Sequence, residues 1–299
     1  MLYWPLLFYS SETLFSMPAL FVDQITVIDF AYFHPARGVI GESWIVDVIL
    51  EGDLDDQGMV FDFAHVKKQI KRTIDQCVDH KFVVPAAYGD LRISDSGGQR
   101  IIEAVDTSGR RYRHESPAEA VVLLDSDAVT LQAVEEVLRD ACLETLPDNV
   151  SELVLKLTPE HITEAYYHYA HGLKKHLGDC QRIAHGHRSR IQIWENGDRS
   201  DTLESLWADH WRDIYLGTRE DLAEEFELDG IRYLKFSYEA QQGNFSLTLP
   251  EKSCDLLETD STVELIAGFI ADSLKKERPD SHITVRAFEG VNKGAIARR

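Results

Sequence analysis

The segment Tyr167–Arg190, YHYAHGLKKHLGDCQRIAHGHRSR, concentrates side chains that can hold a metal or move a proton. It carries five of the twelve histidines and one of the four cysteines, Cys180, in a chain of formal net charge −20. His185 and His187 stand two apart, just before the apolar run Ile191–Trp194. If that run is a strand, both imidazoles project from one face. A third imidazole upstream would complete a three-histidine site with an open position, the layout of catalytic zinc. His168, His171 and His176 can each fill that place, although His168 would leave the opposite strand face from His171. An isolated His-x-His is more often structural or exposed, so the context has to carry the metal reading. Zinc in such a site acidifies a bound hydroxyl and stabilises a developing enolate or alkoxide. A thiolate at Cys180, near such a cation and Arg182, could take a proton at neutral pH.

The elements that position these residues read twice along the chain. In the first half, Gln24–Phe33 and Ser43–Glu51 have strand character. Phe61–Cys77 carries apolar residues at helical spacing, Phe63, Val66, Ile70 and Ile74. Ser94–Gly98 and Thr107–Gly109 punctuate hairpin strands. Leu131–Leu143 is a second amphipathic helix and Glu152–Leu157 a closing strand. In the second half, Ala165–Tyr169 leads to His171, and Arg188–Trp194 is the next strand. Leu203–Tyr215 reads as a helix. Ile231–Tyr238 and Asn244–Leu249 form a hairpin with its tip at Gln241–Gly243. Val263–Leu274 is a helix and His282–Phe288 the last strand. The common order, β-β-α, an insertion, then α-β, implies an old duplication with its boundary near residue 160. The fold class expected is α+β, with antiparallel hairpins and helices covering one face. Parallel βαβ units are disfavoured because strands follow each other in pairs. No GxGxxG follows a strand and there is no Walker loop, so nucleotide-binding folds lose support.

Bulk properties narrow the class. The chain has 299 residues, 44% hydrophobic and 27% charged, enough for a sizeable core. Its acidity argues against a nucleic-acid-binding surface. Cys77, Cys142, Cys180 and Cys254 are widely spaced and form no CxxC, which disfavours a zinc knuckle or disulfide framework and makes a reducing cytoplasm the expected compartment. Residues 1–16 are apolar, lack Lys and Arg and contain Pro5. They fit neither a signal peptide nor a membrane span and read as a disordered or spurious extension before Met17. No membrane partner is expected.

The second half resembles the 6-pyruvoyltetrahydropterin synthase and 6-carboxytetrahydropterin synthase family, built on the T-fold. The matching residues are YAH ending at His171, then Cys180, then His185-Gly186-His187 at the next strand. VRAFE ending at Glu289 and the Thr262-x-Glu264 helix start match as well. The resemblance implies that His171, His185 and His187 bind Zn2+, that Cys180 is a catalytic base, and that Glu289 and Thr262 bind the pterin. Gly58–Val83 of the first half resembles the family's stretch ending in an Asp-His pair, here Asp79-His80, which assists proton transfer. The first half has Ile40-Gly41-Glu42 where HGH would stand, although His34 persists, and Leu157-Thr158 where the pterin Glu would stand. The second half lacks the Asp-His pair, since Asp209-His210 lies too early. The losses are complementary, so one composite site would take zinc, Cys180 and Glu289 from one copy and Asp79 and His80 from the other.

The resemblance therefore implies two tandem T-fold domains, 17–160 without zinc ligands and 161–299 with them, in a homo-oligomer. It implies a lyase acting on 7,8-dihydroneopterin triphosphate, eliminating triphosphate and rearranging the side chain. The carboxy product leads toward queuosine and the pyruvoyl product toward tetrahydrobiopterin. The alternatives are a zinc lyase or aldolase on another pterin, and a non-catalytic pterin- or zinc-binding paralogue. In physical terms, a carboxylate such as Glu289 can accept two N–H bonds from a guanidine-like pterin edge. Asp79 can orient and charge His80. Lys174, Lys175, Arg182, Arg188 and Arg190 form a cationic zone suited to a triphosphate.

Overall fold

A computed structural model describes residues 18–299 apart from 55, 57 and 61, with residues 63–65 described in backbone only. The expected extension, residues 1–16, lies outside the described residues. The first half runs β1 (Ala19–His34), β2 (Gly38–Gly52), α1 (Phe63–Cys77), β3 (Phe82–Pro85), β4 (Leu91–Ser96), β5 (Gln99–Val105), β6 (Arg111–Pro117), β7 (Val121–Leu124), α2 (Leu131–Leu143) and β8 (Val150–Pro159). The second runs β9 (Tyr166–His171), β10 (His185–Glu195), the short β11 (Asp198–Arg199), α3 (Asp201–His210), β12 (Ile214–Thr218), β13 (Leu222–Leu228), β14 (Ile231–Ala240), β15 (Gly243–Pro250), β16 (Cys254–Leu257), α4 (Val263–Glu277), β17 (Ile283–Phe288) and β18 (Gly294–Arg298).

Two sheets repeat one order. The first is β7-β3-β1-β2-β8 and the second β16-β12-β9-β10-β17, extended at its edge by β18. The central hairpins are antiparallel, as expected, but β3 and β7 join β1 in parallel, and β12 and β16 join β9 in parallel. These strands escape periodicity because four or five residues are too few to show a period, and FVVP of β3 is in addition buried throughout. A helix pair covers one face of each sheet. Val66, Ile70 and Ile74 of α1 and Val134 and Leu138 of α2 pack on the first. Ile266, Ile270 and Leu274 of α4 and Leu203 and Trp207 of α3 pack on the second. The fold is thus α+β, two T-fold domains in tandem. Thr130 and Ser200 cap α2 and α3 by accepting from the amides of Ala133 and Leu203. The third helix is shorter than the expected Leu203–Tyr215. It stops at His210, and Asp213 takes φ 58°, which turns the chain into β12.

The halves are fused in two places. The insertions form a third sheet, β13-β14-β15-β6-β5-β4, whose central pair β15–β6 joins the two copies with Leu247 opposite His114. Beneath it, one core is shared: Phe33, Val39 and Phe82 of the first half pack with Ala170, Ile183, Tyr215 and Phe236 of the second. Elsewhere, the β1–β2 and β9–β10 hairpins cross back to back at Gly41 and Gly186. A Cβ on Gly41 would lie 1.8 Å from the Tyr169 carbonyl oxygen, and one on Gly186 would lie 2.6 Å from Gly41 Cα. No side chain fits there, so the crossing depends on glycine at both positions.

Candidate active site

Strand register assembles the three histidines. Across β9–β10, His171 stands opposite His185 and Tyr169 opposite His187, so alternation sends the three imidazoles to one face. All three are buried. His171 Nδ1 lies 3.1 Å from the Ser261 carbonyl oxygen, and His185 Nδ1 lies 2.9 Å from that of Arg182. A carbonyl only accepts, so each Nδ1 carries the proton and each Nε2 offers a lone pair. Burial, reinforced by the neighbouring histidines, holds His171 and His185 well below the ordinary imidazole range, in the neutral form that ligates. His171 Nε2 and His187 Nε2 are 3.3 Å apart. Two nitrogens bound about 2.0–2.1 Å from a tetrahedral zinc stand about 3.3 Å apart. The residues therefore fit a zinc ion.

Beside this trio lie the groups of both halves expected to move protons. Asp79 and His80 follow α1, where His80 takes φ 54° and its amide donates to the Asp29 carbonyl at 2.7 Å. Asp79 Oδ2 holds His80 Nδ1 at 2.8 Å. The His80 ring is centred 5.0 Å from that of His185. The nitrogens of His80 and His185 and the sulfur of Cys180 all lie within 4.8 Å of one another. Burial opposes a charge on His80, but hydrogen bonds to Asp79 and Cys180 outweigh it and push its pKa up to about 10. One chain thus brings Asp79 and His80 of the first half to Cys180, His171, His185 and His187 of the second.

Glu289 ends β17 at the rim. Its charge helps burial raise the Tyr169 phenol, and the Tyr169 ring is centred 5.1 Å from those of both His171 and His187. Thr262 caps α4 without a side-chain cap bond and follows Ser261, whose Oγ is 3.0 Å from His171 Nδ1. His168 leaves the other strand face, 2.8 Å from the Gly41 carbonyl, and His176 is exposed.

Two expectations change. The residue opposite Ile40 is Tyr32, not His34, so Tyr32 occupies the place that His171 has in the second copy. His34 instead accepts the Ala36 amide in the hairpin turn. The cationic zone is also largely neutralised. Lys174 pairs with Asp221 and Glu220, Lys175 with Glu220 and Asp260, and Arg190 with Glu160. Arg188 donates to the Glu160 carbonyl. Arg182 contacts Asp179 at 2.9 Å but keeps a buried Nη1 with no partner among the described residues.

Sequence reasoning passed over Asp29, which the structure places in the site. Its backbone N–H donates to Asp79 Oδ1 at 2.8 Å, and its side chain faces His187 Nδ1 at 3.2 Å. Burial alone would raise its pKa, yet His187, Lys293 and Ser43 together hold it far below the usual carboxylate range. The available signal was a lone acid in the apolar strand TVIDFAYF, since a buried carboxylate requires partners.

Fold and site together define a tandem T-fold protein with one histidine-lined niche built across its two copies. The chain belongs to the 6-pyruvoyl tetrahydropterin synthase family, whose model matches residues 26–91 and 161–299. Membership places it among pterin synthases, enzymes of lyase type. It is 24% identical over 135 residues to a putative 6-carboxy-5,6,7,8-tetrahydropterin synthase of Pyrococcus horikoshii, covering 45% of this chain and 77% of that protein. The Pyrococcus abyssi protein of the same description is 28% identical over the same shares. Among solved structures, 6-pyruvoyltetrahydropterin synthase of Plasmodium vivax overlays with a TM-score of 0.37 and 17% identity, covering 48% of this chain and 98% of that one.

Proposed function

We propose that the chain is a zinc-dependent synthase acting on 7,8-dihydroneopterin triphosphate, eliminating triphosphate and rearranging the side chain to 6-pyruvoyltetrahydropterin or, with addition of water and loss of acetaldehyde, giving 6-carboxytetrahydropterin. The observation that carries this reading is the convergence of three buried imidazoles, two with nitrogens 3.3 Å apart, beside a thiol and a charged histidine drawn from the two copies. His171, His185 and His187 would hold Zn2+, which when bound supplies Lewis acidity toward the substrate's side-chain hydroxyls. Cys180 would remove a carbon-bound proton of that side chain. His80, held by Asp79, would deliver a proton to an oxygen of the same side chain. Glu289 would accept the N–H groups of the pterin edge and Thr262 would line its pocket. Arg182, whose buried Nη1 has no partner among the described residues, would meet the leaving triphosphate.

The open outer edges of β7, β8, β16 and β18 favour association with further copies, as expected for a homo-oligomer. Among the described residues, no helix is long and apolar enough to cross a membrane. The test is incubation of zinc-loaded protein with dihydroneopterin triphosphate. Release of triphosphate with a carboxy- or pyruvoyl-pterin product supports the reading. An unchanged substrate in the presence of bound zinc would leave a non-catalytic pterin-binding role in its place.

A further inference from the structure

The first copy supplies more to the niche than Asp79 and His80. Asp29, in the middle of β1, is buried yet makes five contacts, two of which, to His187 and Lys293, reach the other copy. Oδ1 accepts from Ser43 Oγ and faces His187 Nδ1 at 3.2 Å. Oδ2 is 3.0 Å from Lys293 Nζ, in the turn between β17 and β18. Its own N–H donates to Asp79 Oδ1 at 2.8 Å, and its carbonyl accepts from the His80 amide at 2.7 Å. Room for the carboxylate comes from Gly290, where a Cβ would lie 2.5 Å from Asp29 Oδ1.

The three histidines also differ in what fixes them. His171 and His185 are set by neutral oxygens of their own half, from Ser261 and Arg182. His187 alone faces a carboxylate, and that carboxylate belongs to the other half. A carboxylate on the far nitrogen of a metal-bound imidazole fixes the ring and its tautomer and raises its basicity toward the metal. Asp29 is buried, so the charge acts with little screening by water.

The pseudo-twofold relation gives an internal comparison. By register, Asp29 corresponds to His168 and His187 to Glu42. The equivalent acid–imidazole pair therefore recurs across the hairpin crossing, with His168 Nδ1 3.8 Å from Glu42 Oε2. In that second place the residues are exchanged: the acid sits where a ligand would be, and Tyr32 and Ile40 replace the other two histidines. The seam thus brings the two residues together in both niches, and only in the histidine niche does the acid stand behind a candidate ligand.

We infer that Asp29 is a cross-domain positioning residue: its carboxylate holds His187 in the Nδ1-protonated form that presents Nε2 to the metal, while its main chain registers Asp79 and His80 beside the same site. The inference rests on the proposed zinc site. It assigns to the copy without ligands a share in metal affinity.

The experiment compares zinc affinity of purified full-length protein, by competition with a chromogenic chelator, for the wild type, Asp29→Asn, Ser43→Ala and His187→Ala. It adds nitrogen-15 spectra of the histidine side chains of the zinc-loaded wild type, with His187 assigned by its loss in His187→Ala. Asp29→Asn is expected to weaken zinc binding 10- to 100-fold and Ser43→Ala by much less. The wild-type spectrum is expected to show His187 with a protonated Nδ1 and metal on Nε2. Wild-type zinc affinity in a folded Asp29→Asn would overturn the inference, and so would metal on His187 Nδ1. The spectrum decides the matter on its own if Asp29→Asn does not fold. A wild type that binds no zinc, or a His187→Ala that binds it undiminished, would instead remove the zinc reading beneath.

Discussion

The residues proposed to move protons differ in position. Cys180 shares a cluster with His80 and His185 but not with His171 or His187, so its removal should spare the metal. Cys180→Ala is expected to keep stoichiometric zinc and lose at least about 100-fold in turnover, the usual range for a positioned acid or base; metal analysis alongside product formation checks both halves of that statement. Glu42 supports a second prediction, on stability. Burial pushes its carboxyl up to about 7, despite the Ser43 amide and Arg188 and Arg37 acting the other way. A folded pKa above the unfolded value of 4.5 means that the folded state binds the proton more tightly. The contribution of Glu42 to stability should therefore fall as pH rises from about 4.5 to about 7, by on the order of 3 kcal/mol, and level off above. Glu42→Gln should flatten that slope, leaving stability near pH 4 unchanged and raising it near pH 8, as denaturant unfolding at the two pH values would show.

At the scale of elements, the hairpin crossing determines whether a site exists at all. The His-Gly-His motif is readable as two ligands flanking a glycine, and its degenerate partner Ile40-Gly41-Glu42 keeps only the glycine. The retained glycine has a steric reason, because the two hairpins pass with Gly41 and Gly186 in contact. Gly41→Ala should cost about 3 kcal/mol or more by forcing the hairpins apart, and it should lower zinc content although Gly41 touches no ligand; calorimetry and metal analysis would show the two losses together. Helices and long hairpin strands were legible because each has a solvent face that leaves a period in the sequence, as Val66, Ile70 and Ile74 do in α1. The strands β3, β7, β12 and β16 were not, since runs of four or five residues are too short to show a period. The three histidines and Cys180 could be picked out because their spacing is local. Asp29 could not, because its partners His187 and Lys293 are 158 and 264 residues away in the chain. The place of His34 was misread for a related reason: hairpin register, not distance from the glycine motif, decides which residue faces Ile40.

For the whole molecule, duplication leaves two copies that no longer stand as separate units. Each sheet has its own core against its helices, but the third cluster draws on both halves, and β6 and β15 complete one continuous six-stranded sheet. Separation would expose Phe33, Phe82, Tyr215 and Phe236 and leave two central strands with unpaired edges. Such a chain should unfold as one cooperative body rather than as two domains in turn. Ile70 tests this, because it is fully buried in the first-half core and remote from the seam. Ile70→Ala should cost about 2–5 kcal/mol. If the halves are one unit, the calorimetric transition stays single and shifts downward as a whole, and the tryptophans of the second half, Trp194, Trp207 and Trp211, report the same lowered midpoint in a background carrying both Trp4→Phe and Trp44→Phe. If the halves unfold independently, the second-half tryptophans keep the wild-type midpoint and a separate early transition appears. The single transition also sets a functional expectation. A niche lined by His171, Cys180, His185 and His187 of one copy and by Asp79 and His80 of the other comes apart when either copy opens, so zinc release from Ile70→Ala should follow the same midpoint as its unfolding.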